Sequence, residues 1–128
     1  MKRVDILVVD DEPDVVEMLG EFLTNQGHLV WKARDGETAL ETVKEQGPTV
    51  VVLDMKLPRM DGLETLKRIK KLRPQTTVIM ISGVATLDMA KESLKMGAYD
   101  YLAKPIDLNH LEDLISVIEV STFSTKWE

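Results

Sequence analysis

Three aliphatic runs constrain this chain more than anything else in it: Ile6-Leu7-Val8-Val9, Val50-Val51-Val52-Leu53 and Val78-Ile79-Met80-Ile81. None alternates with polar residues, which is the pattern of strands buried on both faces rather than of a sheet with one wet side. All are far too short to span a bilayer, so no membrane contact is expected. The strands are read as residues 4–9, 50–53 and 78–81, with two weaker ones at 28–33 and 100–103.

Between the strands the apolar period becomes helical. Val15, Val16, Leu19, Phe22 and Leu23 recur at one-face spacing, as do Leu108, Leu111, Ile115 and Ile118. Shorter stripes occur at Ala39, Leu40 and Val43, at Leu63, Leu66 and Ile69, and at Leu87, Ala90 and Leu94. Pro13 suits a first helical turn, Asp35 and Asp107 suit N-caps, and Gly27, Gly47 and Gly97 suit helix ends. Five strands alternating with five helices require a parallel sheet covered on both faces, because right-handed crossovers put the helices there. A chain of 128 residues then has no length for a second domain. Residues 1–120 are read as that domain and 121–128, of weak helical character, as a C-terminal tail or linker stub.

Composition narrows the chemistry. Sixteen basic against 22 acidic residues give a net charge of −6, which disfavours direct nucleic-acid binding. No cysteine is present, so disulfides, thiolate zinc sites and cysteine nucleophiles are excluded. Asp5 and Asp10 interrupt the apolar stretch that an export signal after Met1-Lys2-Arg3 would need, and a cytoplasmic location is expected.

In open parallel sheets ligands bind beyond the carboxyl ends of the strands. The polar residues expected there are Asp10 and Asp11, Asp54, Ser82 and Lys104. Three carboxylates within ~4 Å would repel by roughly 4 kcal/mol per pair at an effective dielectric of 20, so a cation must sit among them. Hard oxygen donors, with neither His28 nor His110 at this edge, point to magnesium rather than zinc. A lysine and a hydroxyl across a small gap suit the oxygens of a transferring phosphoryl group, with Asp54 as nucleophile. Singly, each residue has a plainer role: Asp11 and Glu12 could cap a helix, Asp54 could be a turn residue, and Lys104 could be solvated. Their joint occurrence favours the site. Met55, Met60, Met80, Met89 and Met96 are read as core or interface filler, and the basic cluster Lys67, Arg68, Lys70, Lys71 and Arg73 as a solvated helix face.

The segments ILVVDDEP (6–13), VVLDMKLPRMDG (51–62), VIMISG (78–83) and GAYDYLAKP (97–105) resemble, in order and spacing, the receiver domains of two-component response regulators. Within that family LDMKLPRMDG and TLDMAKESLKMGA are similar to the stand-alone receiver of the sporulation phosphorelay, and ISG and GAYDYLAKP to receivers of sigma-54-dependent regulators. The resemblance implies a flavodoxin-like (βα)5 doubly wound parallel sheet with strand order 2-1-3-4-5. It implies phosphorylation of Asp54, Mg2+ held by Asp11, Asp54 and the backbone carbonyl of Lys56, and Asp10 assisting through water. Ser82 and Lys104 match the switch hydroxyl and the phosphate-binding lysine, Tyr101 matches the aromatic switch residue, and the Lys104-Pro105 bond is expected to be cis. Tyr101 departs from the sporulation receiver, and Ser82 stands where threonine is commoner.

The function so implied is a signalling phosphoacceptor rather than an enzyme. It catalyses its own phosphorylation and slow dephosphorylation, then switches shape to signal or relay onward. Expected partners are a sensor histidine kinase or histidine phosphotransferase, docking around Asp14, Met18, Pro105 and Ile106, and a downstream effector or attached output domain. A monomer that dimerises on phosphorylation is also expected. The competing reading is a magnesium-dependent phosphohydrolase of the haloacid dehalogenase type, whose second aspartate is replaced here by Lys56.

Overall fold

The computed structural model describes residues 4–84 and 86–127, with side chains through Ser121. Strands and helices alternate along the chain as β1 (Asp5–Val9), α1 (Pro13–Asn25), β2 (Leu29–Ala33), α2 (Gly36–Gln46), β3 (Val50–Asp54), α3 (Gly62–Leu72), β4 (Thr77–Ser82), α4 (Leu87–Lys95), β5 (Asp100–Ala103) and α5 (Leu108–Trp127). The five strands form one parallel sheet in the order β2-β1-β3-β4-β5. The tail expected over 121–128 continues as helix to Trp127, while its side chains beyond Ser121 and Glu128 itself lie outside the described residues.

The unalternating runs are explained by two cores, one on each face of the sheet. Leu7, Val9, Val51, Leu53, Val78 and Met80 join Ala39 and Val43 of α2 and Leu66 and Ile69 of α3. Ile6, Val8, Val50, Val52, Ile79 and Ile81 point the other way, against Leu19 and Leu23 of α1 and Leu111, Ile115 and Ile118 of α5. Both faces must therefore be apolar, which is what the runs encode.

The punctuation behaves as its chemistry requires. Asp35 Oδ1 accepts from Thr38 N at 2.7 Å, Pro13 opens α1, and Asp107 Oδ1 accepts from Asn109 N and His110 N at 3.0 and 3.2 Å. Gly47 ends α2 at a φ of +57°, a conformation costly for residues with a Cβ. The Lys104–Pro105 peptide is cis.

Two sequence expectations need correction. The inward stripe of α4 is Met89, Ser93 and Met96, whereas Leu87 and Leu94 are 70% and 49% exposed. Small Ser93 lets α4 approach the sheet, its hydroxyl reaching Met55 Sδ at 3.7 Å. Its fully buried residue being a serine, α4 gains little of the roughly 2 kcal/mol per buried aliphatic side chain that fastens the other helices. Second, the basic cluster is not all solvated face. Lys70 Nζ donates to the carbonyls of Pro74 and Thr76, and Arg73 donates to those of Val43 and Lys44, closing the end of α2. His28 lies away from the carboxyl edge, as expected: it is a buried residue at the amino end of the sheet. Its Nδ1 accepts from Val4 N at 3.1 Å, and Nε2 lies 3.3 Å from Glu112 on α5.

Candidate functional site

Parallel strands bring their carboxyl ends to one edge, and the strand order reverses between β1 and β3, where a crevice opens. Asp10 follows β1, Asp54 ends β3, Ser82 ends β4 and Lys104 follows β5. These four residues converge with Asp11, Glu12 and Lys56 around a cleft of about 650 Å³, Asp10 lying beneath its lining. Gly62 is part of the construction: a Cβ there would overlap the Asp54 carbonyl and the Met55 backbone, so only glycine lets α3 start this close to the end of β3.

Lys104 Nζ is the centre of the site. It lies 2.8 Å from Asp10 Oδ2, 3.0 Å from Glu12 Oε1 and 3.2 Å from Asp54 Oδ2. One cation thus faces three carboxylates, two of them on buried residues. Asp54 Oδ1 accepts from Lys56 N at 3.2 Å, leaving Oδ2 toward the cleft lysine. Burial, and then the neighbouring Asp10 charge, push the Asp54 carboxyl up to about 6 against the lowering effect of the Lys56 N–H and Lys104. Burial alone would lower Lys104, but its contacts with Asp10 and Glu12 and the charges of Asp54 and Asp10 hold it above the usual lysine range.

The donor set fits a hard divalent cation. Carboxylate oxygens of Asp10, Glu12 and Asp54 lie within 4.8 Å of one another. Asp10 Oδ2 is buried and, apart from its ion pair with Lys104, has no hydrogen-bond partner. An under-satisfied carboxylate oxygen beside uncompensated negative charge is what such a cation relieves.

The carboxylates gathered around Lys104 are those of Asp10, Glu12 and Asp54. Asp11 lines the cleft and is exposed, but the third carboxylate beside Asp10 and Asp54 is Glu12. Glu12 precedes α1 in the N-cap position yet makes no side-chain cap, so its carboxylate is free to reach Lys104. The acidic run Asp10-Asp11-Glu12 contained the signal, masked by the capping role that its position before Pro13 suggests.

Ser82 and Tyr101 meet at one atom. The Val84 carbonyl accepts from Ser82 Oγ at 2.9 Å and from Tyr101 Oη at 3.2 Å, and Val84 N donates back to Ser82 Oγ at 3.1 Å. Around the cleft, Asp14 and Pro105 are exposed, Met18 is 44% exposed, and Ile106 is half-buried against the α1/α5 core.

Removing the lysine tests the charge balance. A lysine raised in the folded state stabilises fully below its unfolded pKa of 10.5 and ceases to do so only as pH passes its folded value, so its whole contribution is present at pH 7.5. Lys104→Gln is expected to cost about 2 kcal/mol there, because it strands buried carboxylates. Part should return below pH ~6, where Asp54 takes up a proton. Urea unfolding at pH 7.5 and 5 reads this; equal midpoints for variant and wild type at pH 7.5 would refute the balance.

Residues 6–116 match the family model described as the response regulator receiver domain. The chain is 37% identical over 115 residues to sporulation initiation phosphotransferase F of Bacillus subtilis, covering 90% of this chain and 93% of that protein. It is 41% identical over 115 residues to the transcriptional regulatory protein ZraR of Klebsiella oxytoca, covering 90% of this chain but only 26% of that protein. Among solved structures, NtrX of Brucella abortus in complex with ADP superposes with a TM-score of 0.89 at 35% identity, over 98% of this chain and 29% of that one. The chain thus spans nearly all of one relative and about a quarter of the others.

Proposed function

The chain belongs to the response regulator receiver family, and from that premise we propose that it accepts a phosphoryl group on Asp54 in a magnesium-dependent reaction and passes the signal on by changing shape. The observation that carries the reading is the Lys104 ammonium 3.2 Å from Asp54 Oδ2, inside a cluster of carboxylates that one lysine cannot neutralise. A carboxylate oxygen of Asp54 would bond to phosphorus as the P–N bond to a donor phosphohistidine breaks, the imidazole leaving with the electron pair of that bond. Lys104 pairs with the arriving oxygens, Ser82 offers its hydroxyl, and the Lys56 N–H keeps the Asp54 carboxylate from rotating. Asp11, Asp54 and the Lys56 carbonyl would hold Mg2+, with Asp10 assisting through water and Glu12 alongside. When bound, the ion neutralises charge on the transferring group.

Switching follows from the shared Val84 carbonyl. A new phosphoryl dianion competes for the Ser82 hydroxyl, so Ser82 would leave Val84, and Tyr101 would lose the neighbour that orders its acceptor. The loosely fastened α4, with Leu87 and Leu94 exposed, is the element placed to respond, by binding a target or a second copy of the chain. A sensor histidine kinase or histidine phosphotransferase would dock over the cleft through Asp14, Met18, Pro105 and Ile106, whichever effector or output domain lies downstream. Residues 1–120 are assigned to the receiver and 121–128 to its tail or linker. Among the described residues no helix is long and apolar enough to cross a membrane, and the proposed location is the cytoplasm. Nothing in the site favours the phosphohydrolase alternative, since exposed Lys56 stands where that chemistry needs an aspartate.

Intact-protein mass spectrometry after acetyl phosphate treatment tests the reading. One phosphoryl group per chain is expected with magnesium, mapping to the peptide that contains Asp54, and none after chelation. Labelling that ignores chelation, or that maps elsewhere, would overturn it.

A further inference from the structure

The peptide joining Asp11 to Glu12 is held at both ends. Its N–H donates to Asp10 Oδ1 at 2.9 Å. Its carbonyl accepts from Arg34 Nε at 3.1 Å and from Nη2 at 3.0 Å. The strand ladder puts Arg34 within reach: Val9 pairs with Ala33, and Asp10 N donates to Ala33 O at 3.2 Å, so the next residue of β2's exit lies beside the acidic turn.

This peptide's orientation decides which Asp10 oxygen is engaged. With Oδ1 bonded to the Glu12 N–H, Oδ2 is left facing the cleft, where it pairs with the Lys104 ammonium at 2.8 Å. The same peptide sets the direction in which the Glu12 side chain departs toward the cluster. Rotating it would withdraw a donor from Asp10 and redirect Glu12 in one motion. Arg34 opposes that rotation from outside, being exposed and absent from the cleft lining.

We propose that Arg34 is a positioning residue for the cation-binding acidic turn: by gripping the Asp11 carbonyl with two donors it holds Asp10, Asp11 and Glu12 in their receptive arrangement, and so sets magnesium affinity without touching the ion. The proposal rests on the phosphoacceptor reading above. A guanidinium is suited to the task because its planar fork supplies two fixed donors to one acceptor, whereas an ammonium supplies a mobile point charge. Outer groups that orient ligands in this way typically govern about tenfold or more in metal affinity.

Lys32 provides the control. It lies two residues earlier, on β2, with the same charge, but its ammonium reaches Glu17 of α1 at 3.2 Å, away from the acidic turn. Magnesium titrations by calorimetry should show about tenfold weaker binding for both Arg34→Gln and Arg34→Lys, and a change within about twofold for Lys32→Gln. In metal-free protein the Glu12 amide should exchange its hydrogen faster in both Arg34 variants, a change that lost charge alone does not produce. The rate of labelling by acetyl phosphate should recover at saturating magnesium. Affinity unchanged in the Arg34 variants, or equally reduced in Lys32→Gln, overturns the proposal. A wild-type chain that binds no magnesium overturns it together with the functional reading, whereas one that binds magnesium but accepts no phosphoryl group overturns the functional reading alone.

Discussion

Asp54→Asn is expected to abolish phosphoryl acceptance and, in the same protein, to raise the stability of the metal-free form by about 3 kcal/mol at pH 7.5. The first effect follows because an amide nitrogen and oxygen carry no charge to attack phosphorus, and no other carboxylate of the cluster sits on the end of β3. The second follows from the sign of the shift. Burial pushes the folded Asp54 carboxyl to about 6 against an ordinary value of 3.8, so between those values the native state binds more protons than the unfolded one. Stability attributable to this group therefore falls as pH rises through that window, and the penalty is fully present above it. Asparagine removes the penalty, so the gain should be largest above pH ~6 and vanish below pH ~4. Urea denaturation of both proteins from pH 4 to 8, with chelator present, measures it. A variant less stable than wild type at pH 7.5 would show that Asp54 is held by its partners rather than strained by its burial.

The phosphorylated chain is expected to survive for hours, and Lys56→Asn with Val84→Glu to shorten that life about a hundredfold. Hydrolysis needs a water in line with the Asp54–phosphorus bond. The side chains two places after the aspartate and two after the Ser82 hydroxyl stand at the cleft as Lys56 and Val84, both lining it and both exposed. Valine offers a water no hydrogen bond, and the lysine ammonium is not a base at neutral pH. A lifetime of hours corresponds to a barrier of roughly 23 kcal/mol and one under a minute to roughly 20. A single well-placed carboxylate, with an amide beside it, could supply much of the difference. The decay of the phosphorylated mass in magnesium, without a partner protein, decides it. Loss within a minute from wild type, or no acceleration in the double variant, would contradict the argument.

The two-sided runs of β1, β3 and β4 were legible because burial on both faces removes every polar residue from a strand, a rule local enough to read in four residues. The same holds for Asp35 and Pro13 at helix starts, and for Gly47, whose φ of +57° is a property of one residue and its neighbours. α4 was misread because Leu87, Ala90 and Leu94 form as good an apolar stripe as the true inward face. Ser93 wins that face by size: a short side chain allows the close approach, and Met89 and Met96 fill in around it.

The sequence by itself determined the order of strands and helices, the burial of the sheet on both faces, and the delivery of Asp10, Asp54, Ser82 and Lys104 to one edge. These follow from periodicity, caps and the geometry of parallel strands. Which groups touch there was decided only by the tertiary structure. Lys104 reaches Glu12 across 92 residues and Asp54 across 50. Arg34 takes the Asp11 carbonyl across 23, and Tyr101 shares the Val84 carbonyl with Ser82 across 17. Such contacts depend on side-chain reach and on the register of neighbouring strands to within an ångström or so, and residue spacing along the chain does not encode either.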